Sequence, residues 1–319
     1  MIDFRYHIVS IVSIFLALAV GIVLGAGPLQ GEIGSTLQNE IAGLRDDKAQ
    51  LNTERDALQA KVEQRDAYLA AVSSRVLAGT LTERTVALVV LPGADAAASE
   101  AVTEAVDAAG GRIASTTSVS ADWVSTNQKV AGTRDRLVQQ AAKDAAVDPG
   151  SAAALTPRDV LLATLLTRTA PAGDSGPDDE TARAALQTLA DGGLLSIDAP
   201  AFTRAELVVV LSGAVTDGSE QVRTGTAQRW VGLAAALDAR SRGVVVAADI
   251  ESEPTGTSVL TTLREDSAVS KAVSGVDDVA SPTGVASVVF GLAEQNGGSA
   301  GQYGLGPRAD AAYAPVPGT

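Results

Sequence analysis

The chain has 319 residues, of which 46% are apolar and only 3% aromatic, so it is long enough for one or two domains beyond any membrane segment. Its formal charge of −14 excludes a general affinity for nucleic acid, whose phosphates need clustered Lys and Arg, and argues against broad adhesion to anionic lipid. Because the chain has no cysteine, disulfides, thiolate catalysis and zinc-finger sites are excluded, although the redox compartment stays open.

Residues 8–26, IVSIVSIFLALAVGIVLGA, carry no charge and are predicted to form a transmembrane helix. At about 1.5 Å per residue the run spans roughly 28 Å, close to the hydrocarbon thickness of a bilayer. A cleaved signal would have a shorter apolar region, about 7–15 residues, followed by a small-x-small site. The end of this run, Leu24-Gly25-Ala26-Gly27, fits such a site imperfectly, so we expect an uncleaved anchor and keep a cleaved signal as the alternative.

The few charges around this helix predict its orientation. Arg5 and His7 precede it, and the first basic residue after it is Arg45. Under the positive-inside rule, residues 1–7 are therefore expected in the cytoplasm and the bulk of the chain outside. The prediction is a single-pass protein of the cell membrane.

Small residues recur every four positions along the same helix, at Ser13, Ala17, Gly21 and Gly25. Such a stripe lets two membrane helices approach closely, so it is a candidate packing surface between two copies. The alternative is that glycine and alanine are simply common in membrane helices.

A heptad pattern over residues 35–80 predicts a parallel, dimeric coiled coil, and the partner of the chain is then a second copy of itself. Lys48, Arg55 and Arg65 interrupt the seam. Either their long apolar stems lie along the seam while their charged ends reach water, or they mark a zone where the coiled coil is loosened and can rearrange. A single amphipathic helix packed on its own domain is the other alternative, but it would show a wider apolar stripe. The apolar a and d positions of the seam are Leu37, Ile41, Leu44, Leu51, Leu58, Val62, Leu69 and Val72, with Val76 as the last a position.

Short apolar runs alternate with helical segments over residues 84–295, which predicts an extracytoplasmic, Rossmann-like α/β domain with a mostly parallel sheet. Two stretches, TVALVVLPGAD and ELVVVLSGAVTDG, share a strand followed by a Gly-Ala turn and indicate two βαβ units of similar design. Residues 296–319 are rich in Gly, Pro and Ala and are predicted to be disordered. The predicted strands are 85–91, 112–119, 194–197, 206–211 and 243–248, and the predicted helices are 95–109, 120–142, 157–167, 179–191, 219–239, 258–263 and 284–295.

Four aspartates follow predicted strands, namely Asp95, Asp198, Asp217 and Asp249. Since ligands bind at the carboxyl ends of strands in open α/β sheets, these carboxylates are candidates for a hard-cation site or for acid–base chemistry. The alternative for Asp95 and Asp217 is a helix N-cap. No nucleotide-binding or nucleophile motif is present, and the predicted outer domain has no His or Cys, so we expect no enzyme, no cofactor and no metal site.

Taken in order, several segments resemble the actinobacterial MctB-type copper-transport protein B family. They are MIDFRYHIVSIVSIFLALAVGIVLGAG, RTVALVVLPGAD, VSGVDDVASPTGVASVVFGL and GGSAGQYGLG, and the resemblance covers nearly the whole length. It implies a role in copper homeostasis in the envelope, with an outer-membrane channel proposed for the mycobacterial namesake. Similar corynebacterial proteins imply a partner in an envelope complex linked to cell division and to control of cell-wall hydrolysis.

The residue inventory agrees poorly with a channel or a copper site. A transmembrane barrel needs alternating strands and aromatic girdles, but this chain has only two tryptophans, four tyrosines and four phenylalanines. Cu(I) prefers sulfur ligands and Cu(II) prefers imidazole, whereas the chain offers one methionine, Met1, and one histidine, His7. We therefore expect a scaffold or regulator that docks an envelope or cell-division protein, with copper handled only indirectly.

Overall fold

The computed structural model describes residues 4–25, 29–151, 155–169, 176–249 and 256–317. They belong to two compact units, Met1–Arg65 and Asp66–Thr319. The α-helices of the described residues are α1 Phe4–Gly25, α2 Leu29–Leu77, α3 Ala96–Ala108, α4 Gln128–Asp144, α5 Pro157–Leu166, α6 Asp179–Asp191, α7 Glu220–Asp238, α8 Val259–Glu265 and α9 Pro282–Asn296. The strands are β1 Thr85–Val90, β2 Arg112–Val119, β3 Leu195–Asp198, β4 Leu207–Ser212, β5 Ala214–Val215, β6 Gly243–Ala248, β7 Thr257–Ser258, β8 Ser274–Val276 and β9 Gln302–Tyr303.

Helix α1 confirms the predicted N-terminal apolar helix by length and composition. Its 22 residues have a mean hydropathy of 2.8 over the best 18-residue window, and none of them is buried within the chain. Ala26, the last residue of the predicted span, lies outside the described residues. The length and hydropathy are those of a bilayer-spanning helix, while retention of the segment and its orientation stay predictions.

Helix α2 is one continuous helix of 49 residues and covers almost all of the heptad region. Such a length is far above the usual 10–14 residues of helices in globular proteins. The long helix is therefore as predicted, whereas its pairing into a coiled coil stays a prediction.

Seven strands form one mostly parallel sheet in the order β3-β2-β1-β4-β6-β8-β9. All neighbours in it are parallel except β2 and β3. Every residue of β4 and β6 is buried, as expected for central parallel strands covered on both faces. The predicted α/β class is confirmed. Numbered among themselves, the six parallel strands have the order 2-1-3-4-5-6, which is the flavodoxin-like order 2-1-3-4-5 with one strand, β9, added at the edge, rather than the Rossmann order 3-2-1-4-5-6.

The sheet changes winding direction between β1 and β4, and the loops that follow these two strands touch there. A Cβ built on Gly213 would lie 2.0 Å from the carbonyl oxygen of Gly93, whose φ is +80°. Only glycine permits this backbone approach. The two Gly-Ala turns that the sequence repeats therefore meet at the switch point, where open α/β sheets bind ligands.

Two apolar clusters fill the two faces of the sheet. The larger one packs helices α4, α5, α6, α7 and α8 on one face, around side chains such as Trp123, Leu162 and Trp230. The second packs α3 and α9 on the other face and includes Leu77 from the end of α2. The sheet is thus covered by helices on both sides.

The predicted helix 120–142 is interrupted in the structure. A 3-10 turn, Ala121–Val124, precedes α4, and Asn127 caps α4 by accepting from the backbone N–H of Lys129. The turn is held by long-range bonds, because Arg134 donates to the carbonyl oxygens of Trp123 and Ser125 at 3.1 and 2.9 Å. The helical periodicity of the sequence does not indicate these hydrogen bonds.

The expectation of a disordered C-terminal tail from residue 296 is corrected by the structure. Strand β9 adds to the sheet beside β8, pairing Gln302 with Gly275 and Tyr303 with Val276. Further along, Ala314 is fully buried. The Gly- and Pro-rich composition suggested disorder because the contacts that order this segment come from residues far away in sequence.

Asp238, the last residue of α7, is a half-buried carboxylate at a helix C-terminus. Burial raises the pKa of Asp238 to about 6 from its usual 3.8. Because the folded state binds the proton more tightly than the unfolded state, the charged carboxylate costs stability that grows as the pH rises from about 4 to above 6.

We expect Asp238→Asn to raise the midpoint of thermal unfolding by about 2–4 °C at pH 7.5. The gain should shrink steadily towards pH 4, where the wild-type carboxyl is also neutral in the fold. The control is Asp107→Asn, the same change in the last turn of α3 at an exposed position, which should show no such pH dependence. A gain that is equal at pH 4 and pH 7.5 would contradict the assignment.

Candidate functional site

The predicted seam residues lie along α2 with their side chains unpaired in the single chain. Leu44, Leu51 and Leu58 are 68%, 65% and 62% exposed. Leu37, Ile41, Val62 and Leu69 are also exposed, while Val72 is half-buried. An exposed row of large apolar side chains is unusual for a soluble monomer, and the pairing that would cover it stays a prediction.

The predicted membrane stripe is likewise open in the single chain. A Cβ built on Gly21 or Gly25 would meet no atom within 4 Å, and Ala17 is exposed on the same helix. Ser13 donates its hydroxyl to the carbonyl oxygen of Val9 at 2.8 Å, so its polar group is satisfied within α1. The structure leaves room for a second helix, and the pairing itself stays a prediction.

The structure does not bring the four predicted aspartates together. Asp95, Asp217 and Asp249 follow β1, β5 and β6 and lie at the edge of the sheet where the parallel strands end. Asp198 does not, because β3 is antiparallel and Asp198 pairs with Thr116 in the middle of β2. The prediction for Asp198 was wrong because periodicity cannot tell the direction of a strand.

The remaining three aspartates are divided between two crevices. Asp95 and Asp249 line one cavity together with Gly93 and Gly213, and Asp217 lines its neighbour. Asp95 also caps α3, since its carboxylate accepts from the backbone N–H of Ala97 at 3.0 Å. Among the described residues no group of three or more His, Cys, Asp or Glu side chains could hold a metal ion.

An apolar groove lies within the second unit, between the last turns of α2 and helix α9. Its volume is about 140 Å³, and almost all of its exposed lining is apolar. The seam residues Leu69, Val72 and Val76 form one wall. The opposite wall includes Phe290, from α9, and Tyr313, from the tail.

A buried ion pair, which the sequence analysis did not predict, fastens the C-terminal tail to the sheet and is called the tail clasp below. Arg264, from α8, and Asp277, just after β8, are 2.8 Å apart, and their side chains are only 1% and 2% exposed. Arg264 also donates to the carbonyl oxygens of Tyr303 and Pro307 at 2.7 and 3.2 Å. The guanidinium therefore binds the β8 end and the tail at once.

Asp277 completes the tail clasp by accepting from the tail backbone. Its carboxylate accepts from the N–H groups of Leu305 and Gly306 at 2.6 and 3.0 Å. Gly304 lies against it with φ +128°, and a Cβ there would lie 1.9 Å from the carboxylate oxygen. These hydrogen bonds offset the free-energy cost of burying the Asp277 carboxylate. They also hold the tail in one position.

Tyr303 adds a second contact between the tail and helix α9. Its hydroxyl donates to the carboxylate of Glu294, and burial together with this bond raises the pKa of Tyr303. The buried Gln302 donates to the carbonyl oxygens of Ser270 and Val273, both at 2.9 Å. The one sequence signal that could have predicted these tail contacts is Gln302-Tyr303, a polar and an aromatic residue side by side in a glycine-rich segment.

Comparison with known proteins gives the family. The sequence profile described as "Copper transport outer membrane protein, MctB" matches residues 1–314. The chain belongs to the MctB family. A protein of Mycobacterium tuberculosis named "Copper transporter MctB" is 30% identical over 316 residues, which cover 96% of this chain and 97% of the relative. A Mycobacterium leprae protein of the same name is 28% identical over 315 residues with the same coverage.

The tail clasp explains two of the segments that carry the family resemblance. VSGVDDVASPTGVASVVFGL supplies Asp277, and GGSAGQYGLG supplies Tyr303 and Gly304. In this MctB-family chain the two segments, which follow each other closely in sequence, are the two halves of one contact. In the structure these segments hold the tail against the sheet.

We expect Asp277→Ala to lower the free energy of unfolding by about 3–5 kcal/mol, because it leaves the Arg264 charge buried without its partner. Urea unfolding of the full chain in detergent measures this loss. Limited proteolysis should then also cut the tail after residue 300, since the two backbone N–H bonds are lost as well.

The matched control is Arg308→Ala. It removes an ion pair with Glu265 that joins the same tail to the same helix, but at 3.9 Å and with both side chains nearly 60% exposed. Such a surface pair is worth at most about 1 kcal/mol. Equal losses in the two variants would show that the tail clasp adds nothing special to stability.

Proposed function

We propose that this chain is a single-pass membrane protein that works as a parallel homodimer, a scaffold or regulator that docks another protein of the envelope or of cell division through its outer α/β domain. The observation that carries the proposal is the exposed seam of α2. Leucines at 62–68% exposure over three successive heptads keep apolar area in water that a second copy would bury. In this assembly the N-terminus is cytoplasmic and the α/β domain lies outside.

The apolar groove supports pairing with a second copy. Leu69, Val72 and Val76 belong both to the seam and to the groove wall, so a helix that follows the seam continues into the groove. The occupant that fits is therefore the same segment of the second copy, packed against Phe290 and Tyr313. This arrangement would tie the two outer domains to the paired helices.

The absence of assembled chemistry supports a scaffold over an enzyme. The aspartates at the sheet edge are divided between two cavities, and Asp198 lies elsewhere. The only histidine of the chain, His7, lies on α1, outside the α/β domain. Nucleophilic and acid–base catalysis need groups within hydrogen-bond reach of each other, and the outer domain offers no such set among its described residues.

A second candidate function comes from the family. Because the chain belongs to the MctB family, a membrane role related to copper transport is expected in general terms. The mycobacterial relatives are named as copper transporters. Since the chain has no Cys, one Met and one His, copper would reach it through another protein rather than through its own ligands.

We expect Leu51→Cys to form covalent dimers efficiently when the full chain in membranes is treated with a mild oxidant. The wild-type chain has no cysteine, so it gives no background. The control is Thr53→Cys, which lies two residues away on the same helix, exposed and on the outer side of the predicted seam. A monomeric Leu51→Cys, or equal crosslinking at both sites, would remove the coiled-coil pair.

Replacing Leu44, Leu51 and Leu58 together by Ala supplies the second arm of this test. Each buried leucine lost should cost about 2–5 kcal/mol of dimer stability, so the triple variant is expected to be monomeric by analytical ultracentrifugation in detergent. A dimer of unchanged affinity would show that the seam does not hold the two copies together.

Titration of the full chain with Cu(I) and Cu(II) against a competing chelator tests whether the chain itself binds copper. We expect no stoichiometric tight binding, because the ligand types that copper prefers are missing. Binding tighter than about 1 μM that survives His7→Gln would overturn the scaffold proposal in favour of a copper site of unexpected composition.

A further inference from the structure

A cavity of about 380 Å³ lies at the switch point of the sheet, beside the loop that follows β1, and is called the switch cavity below. Its walls come from four parts of the chain: the turn after β1 at Gly93, the 3-10 turn with the residues that follow it, the segment 214–217 that includes β5, and helix α7 from Val222 to Trp230. This volume is within the range of small-molecule sites. The position is the one where doubly wound sheets bind their ligands.

Arg229 is the one cationic side chain among the described residues that line the switch cavity. It is half-buried, and its Nη2 donates to the hydroxyl of Thr226 at 2.9 Å. Its Nε is buried and has no hydrogen-bond partner within the described structure. A buried guanidinium N–H without an acceptor costs free energy, so the chain maintains an unfavourable arrangement here.

Two further arginines make the position of Arg229 less favourable still. Arg134 pairs with Asp135 at 2.9 Å, and Arg158 pairs with Asp159 at 3.3 Å, whereas Arg229 makes no ion pair with a carboxylate in the described part of the chain. Burial lowers the pKa of Arg229, and the charges of Arg158 and Arg134 lower it further.

The other groups of the switch cavity decide what kind of molecule fits. The buried Trp230 and Val124 and the exposed Val222 also line the cavity, so it fits a ligand that is partly apolar. Asp122 and Asp217 also line the cavity, but both are exposed, so solvent and salt screen their charges more than that of the half-buried Arg229. An anionic group would therefore be bound at the Arg229 end.

We propose that the switch cavity binds a small amphipathic oxyanion, a carboxylate or a phosphate, whose charged oxygens accept from the Arg229 guanidinium and whose apolar part lies against Trp230. The planar guanidinium offers several N–H donors in a fixed fork, so besides the bond from Nη2 to Thr226 it can donate to either oxyanion. The proposal does not depend on the homodimer, since every residue of the cavity comes from one chain.

The test uses the full chain in nanodiscs with benzoate and phenyl phosphate as probes and benzamide as the neutral analogue. Trp230 lines the cavity, so its fluorescence reports occupancy. We expect at least one of the two anions to bind saturably and benzamide to bind at least about tenfold more weakly. Comparison of the two anions tells which oxyanion the site prefers. No saturable binding of either anion would overturn the proposal.

Arg229→Gln should weaken binding of the preferred anion at least about tenfold, while Arg223→Gln should leave it within about twofold. Arg223 is the matched control because it lies on the same helix, is also half-buried and also has a buried Nε, but does not line the cavity. Equal effects of the two substitutions would overturn the proposal.

A stability measurement separates a binding role for Arg229 from a structural one. Without ligand, Arg229→Gln should unfold at the same temperature as the wild type or higher, because it removes a half-buried charge that two neighbouring arginines disfavour. A lower unfolding temperature, or failure to fold, would mean that Arg229 stabilises the fold and would overturn the proposal. Arg229→Lys keeps the charge but loses the paired donors, so it should restore only part of the affinity.

Discussion

A parallel sheet must be covered on both faces, and this requirement makes the last turn of α2 and the C-terminal tail parts of the α/β domain. One face of the sheet has five helices, α4 to α8, whereas the other has only α3 and α9. The second face is completed by Leu77, at the end of α2, and by Tyr303 and Ala314 of the tail. The C-terminal end of α2 and the C-terminal tail therefore contribute to the core of the α/β domain.

The same requirement explains why the sequence predicted the central strands well. β4 and β6 are buried on both faces, so they read as continuous apolar runs, and their predicted bounds fall within one residue of the observed ones. The long helix and the apolar N-terminal helix were predictable for a similar reason, because each is a regular hydrophobic pattern over many residues. The direction of β3 was not, since an antiparallel edge strand has the same local pattern as a parallel one, and this misplaced Asp198.

The features that sequence reasoning missed are polar and non-local. The tail clasp depends on Arg264 and Asp277, which are 13 residues apart, and on tail backbone groups about 40 residues away from Arg264. The break before α4 depends on Arg134 reaching back to the 3-10 turn. Arg229 stood within a predicted helix with no pattern to distinguish it, and only the fold reveals that its Nε lacks an acceptor. Hydrophobic periodicity records which face of an element is buried, but not which charges meet there.

The distribution of charge argues that the two ends of the outer domain do different work. At the switch point the glycine turns, the cavity and an unmatched arginine are gathered from one chain, so that end has the construction of a small-molecule site. On the thinner face the exposed lining of the groove is almost wholly apolar and continues the seam of α2, so that surface has the construction of a protein interface. A molecule bound at the first site would contact the loops after β1 and β4, and α3, which follows the β1 loop directly, packs against α9 of the groove. The α3–α9 layer is thus the physical connection through which occupancy of the switch cavity could alter the protein interface, and such coupling would require the layer to have two packing arrangements.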